Sequence, residues 1–485
     1  MKRLKAVLSL ALLLCFMLSA IGCENVEYID KSQTDESSQG FYEQLESQLP
    51  DLSQEEGVPV VEQSFSIVTD KASVFYNEET TSGSLNIAVN KRNEFLKEKY
   101  GAIIEVREVS PNRIINEMKT ALESDTEYAD LFAISGNETV RLYTAGLLTD
   151  ISKLPNFNVE SEYFDQRIAK TLATNSSLYL LPDASAQYYD EIFVMYFNRT
   201  LVNEQAQKDI ELLVSQGKWT WDAFNEAAKA AAPKVYNKSS ADIENDIFGF
   251  GSYYGEGNYP LVLWASAGHK LVDNTYKNGV ALSMSVQEIQ DIASKLVKSY
   301  NTRGKYPLDG NNAMNTFQNG RIAFFCNKMS YFYALRDGKG GGNQYGFVPM
   351  PKLNEEQSEY NSLVAATARV YAVPKTVEND SDARKAFVSA VLQATCASGS
   401  VTIHDAYIAN YIGNYLNNNT ETLMLQAVLD SATFDFATVY GNYISEIRKP
   451  TTTAIADYLD FGSALSSSIN RALPGFDKYC SQHFK

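Results

Sequence analysis

The chain has 485 residues, a formal net charge of −17, and 45% hydrophobic and 12% aromatic residues. So acidic a chain, with no basic cluster, speaks against a nucleic-acid partner. Its length exceeds what one small core accommodates and points to two lobes.

The N-terminus sets the compartment. Lys2, Arg3 and Lys5 precede the uncharged apolar run Ala6 to Leu18, followed by Ser19, Ala20, Gly22 and Cys23. Charge, a short apolar run and small residues, in that order, make a signal peptide rather than a membrane span. Small residues directly before a cysteine have the pattern of a lipobox, although Ala20 stands where Leu is usual. Residues 1–22 are expected to be a lipoprotein signal peptide. Cys23 is the expected lipid attachment site, holding the protein on the extracytoplasmic face of the cell membrane. Loss of the three cations takes the net charge to −20. From Cys23 to Glu62 eleven acids face Lys31 alone, among many Ser and Gln residues. Residues 23–62 therefore read as an acidic, disordered tether that cannot bury enough apolar surface to order itself. No later stretch reads as apolar enough to span a membrane.

Alternating strand and helix patterns follow, from Ser64 to Asp150. Phe65 to Thr69 is strand-like, and Leu85 to Tyr100 carries an apolar helical face. Ile103 to Val109 returns to a strand pattern. Ser110 caps a helix with Pro111 at its first position and an apolar stripe through Ile114, Ile115, Met118, Ala121 and Leu122. Asp130 to Ile134 is a strand, and a helix then runs to about Gly146. Such alternation predicts an α/β fold with a parallel-type sheet. Ligands sit beyond the carboxyl ends of such strands, which makes Ser135 and Asn137 candidates for a cleft edge.

Further along, Thr220 caps a helix from Trp221 to Ala232 that Pro233 stops, and Trp219 and Trp221 read as aromatic packing at its start. Ser285 caps another helix. Gly320 turns the chain into a strand from Arg321 to Cys326, and Tyr345 to Val348 is a strand behind a glycine loop at 338–342. Val364 to Val373 is β-rich, Asp382 to Leu392 helical, and the end mostly helix, Glu421 to Leu429 and Ile455 to Leu473. Cys326, Cys396 and Cys480 are too scattered for a disulfide framework or metal site. They are buried free thiols, or include one disulfide whose pairing the sequence leaves open.

Several stretches carry a family likeness. They are Tyr128-Ala-Asp-Leu-Phe-Ala-Ile-Ser, continuing to Tyr143-Thr-Ala-Gly-Leu-Leu-Thr-Asp-Ile; Val194-Met-Tyr-Phe-Asn-Arg-Thr-Leu; and Lys218-Trp-Thr-Trp-Asp-Ala-Phe. Phe317-Gln-Asn-Gly-Arg-Ile-Ala-Phe-Phe, Tyr345-Gly-Phe-Val-Pro-Met-Pro-Lys, Glu356-Gln-Ser-Glu-Tyr and Tyr371-Ala-Val-Pro-Lys follow in order. Together they resemble the extracellular solute-binding proteins of ABC importers, of the maltose-binding type. The resemblance implies a two-lobed periplasmic-binding-protein type II fold with a multi-crossover hinge. It implies lobe 1 at 63–187, with 352–398 returning to it, and lobe 2 at 188–351, with 399–485 returning to it. Crossovers are expected near Asp183 to Tyr189, Val348 to Lys352 and Ser398, with Pro349 and Pro351 stiffening the second. The partners implied are a small-molecule ligand, a mono- or oligosaccharide, and ABC permease subunits, for a protein acting as a monomer.

Sugars rest their C–H faces on aromatic rings and bond to amides, carboxylates and hydroxyls. Within the likeness, the glycine-rich loop holding Tyr253, Tyr254, Glu256, Asn258 and Tyr259, with Trp264 beyond it, is a candidate stacking surface on the second lobe. Tyr188, Tyr189 and Asp190 fall at the first crossover, and Ser330 and Tyr331 follow a strand. A cationic solute would instead use Asp190, Glu191 and Glu256, and peptides are a further ligand class. His269, His404 and His483 lack metal-ligand spacing, and no nucleophile elbow or phosphate loop is present. No cofactor, metal or enzymatic activity is expected. A paired-carboxylate glycosidase is the least favoured reading. A ligand-binding sensor or adhesin is the non-transport alternative.

Overall fold

A computed structural model describes residues 42, 45–52, 60–75, 83–174, 177–236, 242, 244–252, 259–274, 280–301, 308–337, 344–414, 416, 418–445, 448–449 and 463–483. Gln48–Lys485 is one compact unit. The signal sequence, Cys23 and most of the acidic segment lie outside the described residues, but its residues 45–52 are described, with Leu45 and Leu49 buried and the Pro50 carbonyl accepting from Tyr100 Oη, unlike a wholly disordered tether.

The first third follows the expected alternation. It runs β1 (Gln63–Thr69), α1 (Ser84–Tyr100), β2 (Ala102–Glu108), α2 (Pro111–Glu123), β3 (Leu131–Ser135), α3 (Gly136–Thr144) and β4 (Leu148–Thr149). Ser110 is the N-cap of α2 with Pro111 at its start, although the serine hydroxyl makes no cap bond. The middle runs β5 (Phe193–Asn198), α4 (Glu204–Ser215), α5 (Trp221–Ala231), α6 (Pro233–Tyr236) and β6 (Phe248–Ser252). It continues with α7 (Tyr259–Ser266), β7 (Val272–Asp273), β8 (Ala281–Leu282), α8 (Val286–Asn301) and β9 (Leu308–Asp309). Next come α9 (Gly310–Gln318), β10 (Ile322–Lys328), α10 (Tyr331–Asp337) and β11 (Tyr345–Val348). Thr220 Oγ1 accepts the Ala223 N–H at 3.3 Å, and Trp219 and Trp221 are fully buried. Pro233 ends α5 as expected but also opens the short α6, since its fixed φ suits a first helical position. Ser285 and Glu288 form a reciprocal capping box at α8.

The last third holds β12 (Ser362–Leu363), β13 (Arg369–Pro374), α11 (Asp382–Asn414), α12 (Asn419–Asp430), β14 (Ala432–Thr433), α13 (Phe436–Val439) and α14 (Ser463–His483). Within the β-rich stretch at 364–373, Val364 makes an isolated bridge to Ile192, a turn follows, and the one strand is β13. Residues 455–462 of the expected final helix lie outside the described set, and the rest continues past Leu473 to His483, with Pro474 inside it.

Two five-stranded sheets result. The first has the order β2-β1-β3-β13-β4, with β1 parallel to β2 and β3, and β13 antiparallel to β3 and β4. The second has the order β11-β5-β10-β6-β9, with β10 parallel to β6 and antiparallel to β5. Pro349 and Pro351 follow the end of β11 but keep the chain beside the second sheet. The Pro349 carbonyl accepts from Trp219 Nε1 at 3.2 Å, and Lys352 exchanges backbone bonds with Trp219 and Trp221. The chain then passes through the two-stranded sheet of β12 with β14 and enters the first sheet at Arg369.

The long helix α11 departs most from expectation. The helix expected over Asp382 to Leu392, with a crossover near Ser398, instead runs unbroken to Asn414. Thr395, Ser398, Ser400 and Thr402 each return their hydroxyl to a carbonyl three or four residues earlier, so they are satisfied within the helix. The small residues serve packing, because a Cβ on Gly399 would lie 2.1 Å from Ser185 Cβ. Asp382–Tyr411 is also long and apolar enough to cross a membrane by length and composition, contrary to expectation. Since 82% of its apolar stretch is buried inside the protein, it is a core helix. Cys326, Cys396 and Cys480 are buried free thiols.

Gly399→Ala tests this packing. Alanine favours a helix by about 1 kcal/mol over glycine, whereas overpacking typically costs ~1–3 kcal/mol. The contact is with the backbone of the 183–186 turn as well, so net destabilisation is expected in urea unfolding. A variant more stable than the parent would show that this turn yields freely.

Candidate functional site

Charged residues meet where the two sheets adjoin. Strand β1 ends at Thr69, and the next residue, Asp70, accepts from Arg369 Nε at 2.6 Å. Because β13 runs antiparallel to β3, its first residue Arg369 sits at the carboxyl edge of β1 and β3, in register with Ser135. Strand β10 ends at Lys328, whose Nζ lies 2.9 Å from Glu191 Oε2. The Thr367 hydroxyl donates to the same oxygen. These four charged side chains keep between 19% and 29% of their surface, so the cluster borders solvent.

Asp190 lies deeper. It accepts from Tyr407 Oη at 2.8 Å and Tyr333 Oη at 2.9 Å. Burial raises its pKa, opposed by those two hydrogen bonds and by the charge of Lys71. Tyr188 and Tyr189 are 4% and 3% exposed, so neither offers a face to solvent here. Their rings are in contact at 4.8 Å; Tyr188 meets Phe434 at 5.1 Å and Tyr189 meets Tyr407 at 4.9 Å.

Two groups of the residues singled out from the sequence come together. The Ser330 N–H donates to the Asp190 carbonyl at 2.9 Å, tying the end of β10 to the 188–191 turn. Ser135 and Asn137 flank Gly136 at the start of α3, where the Gly136 and Asn137 N–H groups donate to the carbonyls of Ala368 and Ala366. The buried Asn137 Oδ1 has no hydrogen-bond partner among the described residues. The Ala365 N–H donates to the Glu191 carbonyl, which links the two groups.

Other candidates lie elsewhere. Trp264 is 2% exposed in the core on α7, and Tyr331 turns its ring to Tyr196 and Phe325. Tyr253, Tyr254, Glu256 and Asn258 lie outside the described residues, as does the side chain of Tyr259, the first residue of α7. Sequence reasoning missed Asp70, Lys328, Thr367, Arg369, Tyr333 and Tyr407. The available signal was a charged residue directly at the end of an apolar strand, as at Asp70 and Lys328.

A second junction lies between the 171–173 segment and later parts of the chain. The buried Asn274, following β7, donates to the carbonyls of Thr171 at 2.9 Å and Ala173 at 2.5 Å. Tyr440 Oη donates to the Leu172 carbonyl at 3.2 Å. Three successive carbonyls are thus bound by side chains from distant segments.

The sequence profile of bacterial extracellular solute-binding proteins matches residues 92–397, more than half of the chain. The chain belongs to that family. Its fold is two-lobed and α/β, similar to solved structures of the maltose-binding type. The sugar-binding protein MalE from Xanthomonas citri aligns at TM-score 0.55 and 12% identity, over 87% of this chain and 98% of that one. The cyclic alpha-maltosyl-1,6-maltose binding protein from Arthrobacter globiformis aligns at TM-score 0.53 and 11% identity, over 87% and 100%. A sugar transporter from Rhizobium etli in an open conformation gives 0.52 and 13%, over 84% and 99%. No curated protein sequence matches significantly. Membership in an extracellular solute-binding family carries an extracytoplasmic location and a binding role.

The first link between sheets contains one further group of note. Asp183 is 4% exposed, and its Oδ1 accepts from the Ser185 N–H at 2.9 Å and hydroxyl at 2.6 Å. Ser185 Oγ also lies 2.9 Å from Tyr371 Oη. Burial pushes Asp183 up to about 7, against the hydrogen bonds from Ser185 and the Cys396 thiol. An acid whose folded pKa exceeds its unfolded value, about 4, binds more protons folded than unfolded between those values. Its contribution to stability therefore falls as pH rises from about 4 to about 7 and is level above. Asp183→Asn keeps the cap acceptor but cannot titrate. Urea unfolding across that range should show a flatter profile for the variant, by up to about 4 kcal/mol. Superimposable profiles would mean that Asp183 titrates normally in the folded protein.

Proposed function

We propose that this chain is a lipid-anchored solute-binding protein that captures a small carbohydrate and delivers it to the permease subunits of an ABC importer. It acts without catalysis. The observation that carries the ligand class is the charge balance at the junction. Asp70 is paired with Arg369, Glu191 with Lys328, and Asp190 with two tyrosine hydroxyls. A cationic ligand drawn to Glu191 would meet the charge of Lys328 on the same carboxylate, in a partly desolvated place. A neutral solute rich in hydroxyls can donate and accept at the same groups while leaving the pairs intact. The sugar-binding proteins of similar fold lend support to that choice.

In this reading the ligand lies between the lobe built on the first sheet and the lobe built on the second. The Tyr253 to Tyr259 loop supplies its stacking surface, with Ser135, Asn137, Asp190 and Ser330 at the base. Residues 23–62 serve as a tether below the binding lobes.

The test of ligand class is a thermal-shift screen over mono- and oligosaccharides, short peptides and amines. A ligand that binds only the native state raises the melting temperature, by about 2.7 kcal/mol of added stability at a hundredfold excess over Kd. Sugars should give the shift; peptides or amines giving it while sugars do not would overturn the carbohydrate reading.

Anchoring has its own test. Replacing Cys23 by Ser should move the protein out of the membrane fraction or leave an unprocessed precursor. Lipid-labelled protein that stays in membranes after this change would remove Cys23 from the scheme.

A further inference from the structure

Arg369 stands at the sheet junction with two of its three guanidinium nitrogens unengaged. Nε donates to Asp70 Oδ1 at 2.6 Å, an end-on contact. Nη1 and Nη2 make no hydrogen bond or further ion pair among the described residues, although the side chain keeps only 19% of its surface. Other arginines of like exposure are fully bonded. Arg384, also at 19%, donates from Nη2 to both oxygens of Asp130 at 2.6 and 2.8 Å and from Nη1 to the Ser64 carbonyl at 3.0 Å. Arg199, at 20%, engages Glu421 and Gln207 through its two Nη nitrogens and the Tyr345 carbonyl through Nε. Those two fasten the fold, whereas Arg369 is held by one nitrogen and leaves its fork open.

Donors partly withdrawn from water and left unbonded cost stability, and a bound acceptor reverses that cost. The two Nη groups form a rigid planar fork, matched to two oxygens held side by side. Two ligand groups offer such oxygens: adjacent hydroxyls of a sugar, and a carboxylate. The surroundings choose between them. Asp70 accepts through Oδ1, and Glu191 accepts from Lys328 and Thr367 through Oε2, so each keeps one oxygen without a partner among the described residues. A carboxylate would set a further negative charge beside these two and bring no donor to them. A hydroxyl accepts from the fork and still has a proton to donate.

Position agrees with this choice. Arg369 is in register with Ser135 at the carboxyl edge of β1 and β3, the edge where ligands of such sheets gather. Thr367, two residues before it, bonds Glu191, which Lys328 at the end of β10 also holds. Arg369 therefore stands at the border of the two sheets, where the carbohydrate reading puts the ligand.

We infer that Arg369 determines specificity at this site: its Nη1 and Nη2 take two adjacent hydroxyl oxygens of a neutral sugar, while Asp70 orients the guanidinium through Nε. This rests on the carbohydrate reading and deepens it, from a solute rich in hydroxyls to one that presents two of them side by side. A lysine in the same place carries the charge without the fork, so it can meet one oxygen but not two in a fixed geometry.

The experiment is calorimetric titration of the whole chain and of Arg369→Lys, with urea unfolding to show that the variant is folded. Arg369→Gln, which also lacks the fork, is the second variant. The probes are D-glucose, D-galactose and maltose, the monodeoxy forms of each, and D-glucuronate and D-galacturonate. The parent should prefer a sugar over the two monodeoxy forms that lack either hydroxyl of the pair, by roughly tenfold each. In Arg369→Lys that preference should fall to about twofold or less, while forms altered elsewhere on the sugar keep their order. Preferences identical in parent and variant, or an equal loss of affinity for every form, overturn the role of Arg369. Uronates that bind roughly tenfold more tightly than the neutral sugars, an advantage lost in Arg369→Lys, would assign the fork to a carboxylate and overturn the hydroxyl pair. Absence of binding by every sugar and uronate removes the carbohydrate reading and this inference with it, whereas sugar binding untouched by Arg369→Lys removes the inference alone.

Discussion

The backbone from Ser362 to Arg369 holds the two sheets in their mutual position. The Ser362 and Val364 amides donate to the carbonyls of Ser431 and Thr433, and that of Ala365 to Glu191. The carbonyls of Ala366 and Ala368 accept from Asn137 and Gly136, and Arg369 then enters the first sheet in register with Ser135. Backbone groups must be paired when buried, so a short run bonded on both sides leaves little freedom of spacing. Ala365, Ala366 and Ala368 let the chains approach this closely; a Cβ on Gly136 would already be 3.2 Å from the Ala366 carbonyl oxygen. The same bonds use the first amides of α3. A helix start usually offers such amides to an anion, but here the first two are spent on the protein, beside the unpartnered Asn137 Oδ1.

Local signals were well preserved in the sequence. Strand and helix alternation, the Thr220 cap, the Ser285 box and the turn at Gly320 (φ 73°) each depend on residues within a few positions of one another. The helix expected to end at Leu392 runs on to Asn414, and the close fit of Gly399 on Ser185, more than two hundred positions earlier, is a contact no local pattern announces. The site was half legible for the same reason. The 188–190 segment and Ser330 do meet, but Tyr188 and Tyr189 are buried against rings from α11 and the segment after β14, which no local pattern announces. Lys328 and Arg369 read singly as solvated charges. Their partners, Glu191 and Asp70, are 137 and 299 positions away, beyond any periodicity.

The contacts around Asp190 restrict how these parts can move. Tyr189 touches Tyr407, Tyr407 touches Tyr411, and Tyr411 stacks on Phe332, so rings run continuously from the 188–191 turn across α11 to the second sheet. Tilted and edge-on rings tolerate small rotations, since their attraction varies gently with angle. Asp190 tolerates much less. Its hydrogen bonds reach Tyr407 on α11 and Tyr333 on α10, and separating either from the turn would strip a donor from a buried carboxylate. Leaving one such group unsatisfied costs ~1–3 kcal/mol, and more for a charged one. Rotation about this point is therefore cheap and separation at it expensive. Asn274 and Tyr440, holding the carbonyls of residues 171–173, resist movement at a second place by the same logic. A rearrangement that opens the sheet junction must either turn about Asp190 and release the 171–173 carbonyls to water, where they regain hydrogen bonds, or strip donors from the partly buried Asp190 carboxylate. The first path is the one the chemistry favours.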